Sequence, residues 1–175
     1  MKELAKKLFD HGCLEVGDFT LKNGSRSGIY FNVKKAYGDP DMLRYIIDEI
    51  SKGLKPEKVN CVVGMGHGSY PLIAGMSMKY GLKMTSVREK SKNHGIGGKF
   101  EYHRPEKGDS YLIVDDVGSA YGTVRKIAGA IKSTEARVSM CYVVLDRSAG
   151  NKDWTRSKES LGFPVRSLIN TFDFF

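Results

Sequence analysis

The stretch Tyr111-Leu112-Ile113-Val114-Asp115-Asp116-Val117-Gly118-Ser119-Ala120-Tyr121-Gly122-Thr123 decides the fold. Its leading apolar residues predict a buried strand that ends where the two adjacent carboxylates stand. A short run of small and hydroxyl residues follows, and then Val124, Ile127 and Ile131 recur at helical spacing. This order of strand, tight loop and helix puts polar groups at the carboxyl end of a strand, where open α/β sheets bind their ligands.

The polar groups of this stretch suit a sugar phosphate. Ser119, Thr123 and the backbone N–H groups between them stand at the start of a helix, where free N–H groups and the helix dipole favour a phosphate. Asp115 and Asp116 only accept hydrogen bonds when ionised, so they suit sugar hydroxyls or a hydrated Mg²⁺. Together these groups indicate a ribose phosphate, although the spacing alone equally fits an ordinary strand–helix turn with a solvated acidic pair.

Composition narrows the class of protein. A chain of 175 residues predicts one domain with a proper core. No apolar run approaches the roughly 20 residues of a membrane span, and no secretory signal pattern opens the chain. Three widely separated cysteines without a Cys-x-x-Cys pair argue against a disulfide framework or a zinc site and favour the cytoplasm. The net charge of +8 predicts an anionic partner, either nucleic acid or a polyphosphate substrate.

Alternating strand and helix patterns predict a single α/β domain over residues 1–175 with a parallel sheet. Residues 1–38 would form a small amino-terminal hood, and residues 39–170 the α/β core. The predicted elements are, in order, a helix over 2–11, a hairpin around Asn23-Gly24, a helix opened by Asp39 and Pro40, strand Val59–Val63, a helix from Pro71, strand Met84–Val87, the central strand and its helix, strand Val138–Leu145, and an edge strand Val165–Ile169.

Two further segments could hold anions. The glycine-rich loop 64–70 follows a predicted strand and precedes a helix, which makes it an anion cradle that includes His67. The segment 88–99 combines glycines with five basic or imidazole groups. It is either a solvated basic loop or a lid that closes over a polyphosphate and stabilises the charge of the leaving group.

The chain resembles the orotate phosphoribosyltransferases, which belong to the type I phosphoribosyltransferases, from about Leu4 to Leu168. Four segments carry the resemblance in the family's order: the hairpin with Lys22 and Tyr30-Phe31, the Arg-x-x-x-Lys-x-His-Gly order at 88–95, the stretch 111–123, and Asp146-Arg147 at a strand end. Any one segment is weak evidence, whereas four in order are specific.

Three positions depart from the family's usual pattern. Tyr121 stands where the family has Gly or another small residue, and Gly118 replaces a branched apolar residue. The bulk of Tyr121 predicts backbone strain in the phosphate loop, which the neighbouring Gly122 would absorb. Glu89 stands where the family often has Lys, with Lys90 one residue later.

The resemblance implies a type I phosphoribosyltransferase fold and the transfer of 5-phosphoribosyl from phosphoribosyl pyrophosphate (PRPP) to orotate with Mg²⁺. It also implies a homodimer in which the lid 88–99 reaches the neighbouring subunit's site. The residues matched to PRPP are Lys22, His67, Gly68, Arg88, Lys90, Lys92, His94, Asp115, Asp116, Ser119, Ala120, Tyr121, Gly122 and Thr123. Those matched to orotate are Lys22, Tyr30, Phe31, Ser119 and Arg147. The catalytic set would be Lys92, His94, Asp115 and Asp116, with Mg²⁺ held through PRPP and the two aspartates.

Two alternatives stay open at this point. One is a related phosphoribosyltransferase for another base, against which Arg147 and the Lys22 segment count. The other is a non-catalytic PRPP- or nucleotide-sensing regulator on the same fold, which the departures at Gly118, Tyr121 and Glu89 keep open. Nucleic-acid binding is not expected, because no helix-turn-helix segment is appended and the basic residues concentrate in the lid.

Overall fold

The computed structural model describes residues 2–20, 24, 26–54, 58–92 and 98–175, with the backbone alone for 90–92. Helix α1 (Glu3–Asp10) opens the chain and buries Leu4, Ala5 and Leu8. Strands β1 (Leu14–Thr20) and β2 (Arg26–Phe31) then pair antiparallel in a two-stranded sheet of their own, as the sequence predicts for a hairpin.

Helix α2 (Pro40–Lys52) begins where the sequence predicts it. The Asp39 carboxylate accepts hydrogen bonds from the backbone N–H groups of Asp41, at 2.9 Å, and Met42. This cap satisfies donors that the first helical turn leaves free. A 3₁₀ helix over Val33–Gly38, which the sequence does not predict, joins the hairpin to α2.

The core is a six-stranded sheet in the order β5-β4-β3-β6-β7-β8. All described neighbours in it are parallel except β4 and β5, which confirms the predicted parallel α/β sheet. The remaining elements are β3 (Cys61–Gly64), α3 (Tyr70–Tyr80), β4 (Lys83–Lys92), β5 (Gly98–Tyr102), β6 (Ser110–Gly118), α4 (Gly122–Lys132), β7 (Arg137–Asp146), α5 (Lys152–Glu159), β8 (Val165–Asn170) and a closing 3₁₀ turn, Thr171–Phe174.

Helices cover both faces of this sheet. Val62, Leu112 and Val144 pack into one buried cluster with α1, α2 and α3, whereas Val63 and Ile113 pack into a second cluster with α4. Burial on both faces explains why the central strand is a continuous apolar run rather than an alternating one. No helix in the described part of the chain has the length and apolar character needed to span a bilayer.

Several boundaries differ from the sequence predictions. Strand β3 spans Cys61–Gly64 rather than the predicted Val59–Val63. Strand β6 does not end at Val114 but runs to Gly118, because β7 continues the ladder beside it and pairs Asp115 with Val143 and Gly118 with Asp146. The predicted loop 88–99 is flanked by strand on both sides, since β4 and β5 form an antiparallel pair that reaches Lys92 and Gly98. Residues 93–97 lie outside the described part of the chain.

Candidate active site at the carboxyl edge of the sheet

The parallel strands bring several predicted site segments to one edge. Gly64 at the end of β3 pairs with Ser86 in β4, and Gly118 at the end of β6 pairs with Asp146 at the end of β7. The loop 65–69, the phosphate loop 119–121 and Arg147 all follow these strand ends. The edge is the place where α/β sheets bind ligands.

The acidic pair lies in the last part of β6 rather than beyond it. Asp115 is 8% exposed, whereas Asp116 is only partly buried. One oxygen of Asp116 accepts a hydrogen bond from the backbone N–H of Val117 at 2.8 Å, and the other lies 3.8 Å from Nζ of Lys34. Asp116 is therefore the carboxylate more accessible to a ligand at this edge.

The glycine-rich loop passes close over Asp116. A Cβ at Gly68 would collide with the Asp116 carboxylate, so only glycine permits this approach. The neighbouring His67 is exposed, and its ring lies 6.0 Å from that of Tyr70 in an edge-on arrangement. The structure thus brings the predicted anion-binding loop and Asp116 together.

The strained backbone conformation of the phosphate loop lies at Tyr121 itself. The expectation that Gly122 would absorb the strain is wrong. Tyr121 has a φ of 56° and a ψ of 23°, a left-handed conformation that disfavours non-glycine residues, and it caps the start of α4. Its side chain is 3% exposed. A Cβ at Gly118 would lie 2.6 Å from Cζ and Oη of Tyr121. The two departures in this loop are complementary, because the Tyr121 ring occupies the space that a larger residue at 118 would need.

Burial raises the pKa of Tyr121, and the nearby Asp146 carboxylate raises it further. The Tyr121 ring therefore stays a neutral phenol and reaches from the phosphate loop toward the end of β7. The backbone makes the same connection, since the N–H of Arg147 donates to the carbonyl of Gly118 at 2.7 Å.

Asp146 is engaged by α5 and not by its neighbour Arg147. Nζ of Lys158 donates to the Asp146 carboxylate at 2.7 Å, and the N–H of Ser148 donates at 2.8 Å. Burial alone would raise the pKa of Asp146, but these hydrogen bonds outweigh it and the pKa is lowered. Asp146 is thus an ionised structural group.

Arg147 lies close to two aromatic rings. Its Cζ is 5.3 Å from the ring centroid of Phe31 and 5.8 Å from that of Trp154. Burial lowers the pKa of its guanidinium, although an arginine stays charged in proteins. Within the described ranges, no carboxylate lies within 4.0 Å of it. The half-buried cation is therefore suited to an anion from outside the chain.

The hairpin contributes Tyr30 and Phe31 to the edge with different exposure. The Tyr30 ring is partly exposed and lies 5.4 Å from that of Phe19. Phe31 is 5% exposed and packs against Phe174 at 5.1 Å. The side chain of Phe31 therefore belongs to the core next to Arg147.

The basic groups predicted for the pyrophosphate are described only in part. Nε of Arg88 donates to the Glu101 carboxylate at 2.6 Å, and its Nη1 donates to the Gly98 carbonyl at 3.2 Å. Glu89 lies 3.9 Å from Nζ of Lys126. The predictions for Lys22 and His94 fall outside the described residues, as do the side chains of Lys90 and Lys92.

Comparison with known proteins decides the family. No protein-family model matches the chain. The orotate phosphoribosyltransferase of Pyrococcus furiosus is 30% identical to it over 176 residues, which cover 99% of this chain and 94% of that protein. The chain belongs to the orotate phosphoribosyltransferase family.

Solved structures agree on the fold. The crystal structure of orotate phosphoribosyltransferase from Aeropyrum pernix superposes with a TM-score of 0.82 at 25% identity, covering 98% of this chain and 95% of that one. An adenine phosphoribosyltransferase from Thermoanaerobacter pseudethanolicus superposes with a TM-score of 0.71 at 16% identity, covering 95% and 99% of the two chains. The chain therefore has the type I phosphoribosyltransferase fold. Because an adenine enzyme shares that fold, the fold alone does not select the base.

Sequence reasoning missed two residues at this edge of the orotate phosphoribosyltransferase fold. Lys34 approaches Asp116 from the 3₁₀ helix after the hairpin, and its position just after Tyr30-Phe31 was an available signal. Trp154 stacks on Arg147 from α5, and nothing in the local sequence indicated that contact.

A second polar cluster lies at the opposite end of the sheet. Ligand atoms of Cys61, His103 and Asp109 lie within 4.8 Å of one another, although the sequence predicts no zinc site. The buried Asp109 accepts hydrogen bonds from His103 at 2.6 Å and from Nζ of Lys83 at 2.9 Å. Burial opposes ionisation of Asp109, yet these hydrogen bonds hold its pKa well below the usual range. The Lys83 ammonium already supplies the positive charge, so the cluster is a paired structural network.

Proposed function

We propose that this chain transfers the 5-phosphoribosyl group of PRPP to N1 of orotate, giving orotidine 5′-monophosphate and pyrophosphate. Membership of the orotate phosphoribosyltransferase family supports the reaction. The observation that carries the choice of base is the half-buried Arg147 at the carboxyl edge, which lacks a carboxylate partner within the described residues. A planar guanidinium matches a carboxylate through two parallel hydrogen bonds, and orotate carries a carboxylate that uracil and adenine lack.

PRPP would lie along the same edge. The loop Ser119-Ala120-Tyr121-Gly122-Thr123 leads into α4, whose first turn offers free N–H groups to the 5′-phosphate. Asp116, with Asp115 behind it, would accept hydrogen bonds from the ribose hydroxyls. The loop with His67 and Gly68 would hold the pyrophosphate, because its backbone already lies against Asp116.

The basic residues would neutralise the leaving group. Lys22, Lys90, Lys92 and His94 are assigned to pyrophosphate by their match to the family's sequence. Arg88 would join them by exchanging its ion pair with Glu101 for a phosphate. Positive charge placed where negative charge develops lowers the barrier to bond cleavage.

The orotate site would combine Arg147 on the carboxylate with Tyr30 against the ring. Phe31 and Ser119 would contribute backbone or hydroxyl groups, and Lys22 is matched to this site as well. The transition state is expected to be oxocarbenium-like, so the protein's task is to hold the reacting atoms in line and to stabilise charge.

Mg²⁺ fits this donor set. A hard cation prefers oxygen ligands and keeps several waters, and Asp116 presents a partly exposed carboxylate oxygen whose described neighbour is the Lys34 ammonium at 3.8 Å. Asp116, and Asp115 to a lesser extent because of its burial, would hold the ion together with PRPP. Bound there, Mg²⁺ would supply positive charge to the pyrophosphate.

We further propose a homodimer in which the segment 88–99 of one subunit acts in the site of the other, as the family resemblance implies. A cytoplasmic location is proposed with it, since Cys13, Cys61 and Cys141 are all buried free thiols, which suits a reducing compartment.

The test of the proposed function is a comparison of bases and of Arg147 variants. The wild-type protein should consume orotate with PRPP and Mg²⁺ and should leave uracil and adenine unchanged. Because a hydrogen bond to a charged group contributes about 1.5–3 kcal/mol, Arg147→Ala should lower kcat/KM for orotate by roughly 10- to 150-fold. Arg156→Ala, an exposed arginine on α5, is the matched control and should change little. Equal use of uracil by the wild type would refute the assignment of the base.

A further inference from the structure

The orientation of Arg147 depends on its two aromatic neighbours. An arginine side chain has many rotamers, and the described residues give the Arg147 guanidinium no carboxylate partner that would fix it. The centroid of the Phe31 ring lies 5.3 Å from Cζ of Arg147, and that of the Trp154 ring lies 5.8 Å from it. Guanidinium groups stack favourably on aromatic faces, so the two rings hold the planar group in a restricted orientation.

The two rings are held in different ways. Phe31 is fixed by the core, because it is 5% exposed and packs on Phe174. Trp154 belongs to α5, and none of that helix's residues is buried. The position of Trp154 therefore depends on the polar bonds that tie α5 to the rest of the protein.

Those bonds run to both predicted substrate segments. At the β7 end, Oγ1 of Thr155 donates to the Ser148 carbonyl at 3.1 Å and Lys158 donates to Asp146 at 2.7 Å. At the phosphate loop, Oγ of Ser157 donates to the Ala120 carbonyl at 2.6 Å. Helix α5 thus forms a bridge between the segment proposed for orotate and the segment proposed for the 5′-phosphate.

We propose that Trp154 is a positioning residue that orients Arg147 toward the carboxylate of the base, and that the polar bonds of α5 hold Trp154 in place. This inference rests on the proposed function. The indole of Trp154 lies against Arg147, whereas the hydrogen bond from α5 to the phosphate loop comes from Ser157. Removing the indole should therefore weaken orotate binding and leave PRPP binding unchanged.

The chain itself provides the probe. Trp154 is its single tryptophan, so the intrinsic emission of the protein reports the environment of Arg147. Saturating orotate in the presence of pyrophosphate should change that emission in the wild type. The change should be lost in Arg147→Ala, because the base then lacks its anchor beside the indole.

The decisive experiment compares Trp154→Leu, Trp154→Phe and the wild type. Leu removes the aromatic face, and Phe retains one. A cation–π contact changes a binding constant by roughly 2-fold when it is exposed and by roughly 30-fold when it is desolvated. Trp154→Leu should therefore raise KM for orotate within that range. KM for PRPP should stay at the wild-type value, which also reports an intact fold. Trp154→Phe should recover most of the loss, and Arg156→Ala on the same helix should behave as the wild type.

The outcomes separate this inference from the proposed function. Wild-type turnover of orotate with an unchanged KM in Trp154→Leu would overturn the positioning role and leave the activity standing. Equal rises in KM for orotate and PRPP would also overturn it, since they would indicate a general loss of structure. Absence of orotate turnover in the wild type, with no change of emission on adding orotate, would overturn the proposed function and this inference with it.

Discussion

The complementarity of Gly118 and Tyr121 can be tested by adding a single methyl group. In Gly118→Ala the new Cβ would lie 2.6 Å from two atoms of the Tyr121 ring, about 1 Å closer than an ordinary carbon contact. The ring cannot move aside, because it is 3% exposed and is attached to a backbone in the left-handed region. Gly118 itself lies in a β-strand, so the substitution introduces the clash without demanding an unusual conformation.

Overpacking of this kind costs about 1–3 kcal/mol of unfolding free energy. For a chain of this length, each kcal/mol lowers Tm by roughly 2–4 °C, so Gly118→Ala should lower Tm by about 2–12 °C. In the background of Tyr121→Gly, the ring is absent and the same substitution should be neutral or stabilising by up to about 1 kcal/mol.

The assay is urea unfolding of the wild type, both single variants and the double variant. We expect a coupling free energy of at least about 1 kcal/mol between positions 118 and 121. Gly129→Ala is the matched control. Gly129 lies in α4, and among the described residues beyond its own helix backbone none lies within 4 Å of the added Cβ, so the substitution should be neutral or slightly stabilising. If the changes in unfolding free energy of the two single variants sum to that of the double variant within about 0.5 kcal/mol, the steric argument is refuted.

Two further predictions follow from the hydrogen bonds of α5 and α1. Ser157→Ala removes the donor to the Ala120 carbonyl and should raise KM for PRPP by roughly 2- to 10-fold, as initial-rate kinetics would measure. KM for orotate should rise by less, because Thr155 and Lys158 still tie α5 to the end of β7. A rise in KM for orotate alone would contradict the role of this bond. The hydrogen bond to Asp39, and next the one to the Lys7 carbonyl, raise the pKa of His11 above its ordinary value near 6.5. Protonated His11 therefore stabilises the folded state fully below about pH 6.5, and this contribution is lost as the pH rises through the folded-state pKa. Urea midpoints should therefore fall from pH 6 to pH 8 more steeply in the wild type than in His11→Gln, and parallel profiles would contradict the linkage.

The sequence predicts the elements whose signals are local. Asp39-Pro40 specifies the start of α2, because the cap and the proline act within one turn. The order of strand, small residues and helical spacing in 111–123 predicts β6, the phosphate loop and α4 for the same reason. The edge at which these polar groups meet follows from the parallel arrangement of the strands.

What the sequence does not predict depends on neighbours that are distant in the chain. The length of β6 is set by its ladder with β7, and strand β5 exists because β4 offers it an edge. The place of the Tyr121 ring depends on the absence of a side chain at Gly118, which is a tertiary relation. The stacking of Trp154 on Arg147 appears only once α5 folds back across the edge.

The most direct test of the account is the reaction itself. Purified protein should deplete the near-ultraviolet absorbance of orotate when PRPP and Mg²⁺ are added, with orotidine 5′-monophosphate and pyrophosphate formed in equal amounts. The same assay with Lys92→Ala should show a collapse in rate, because the proposed lid would lose charge at the leaving group. Binding of PRPP without any consumption of orotate would contradict the proposed activity and would leave only the fold in place.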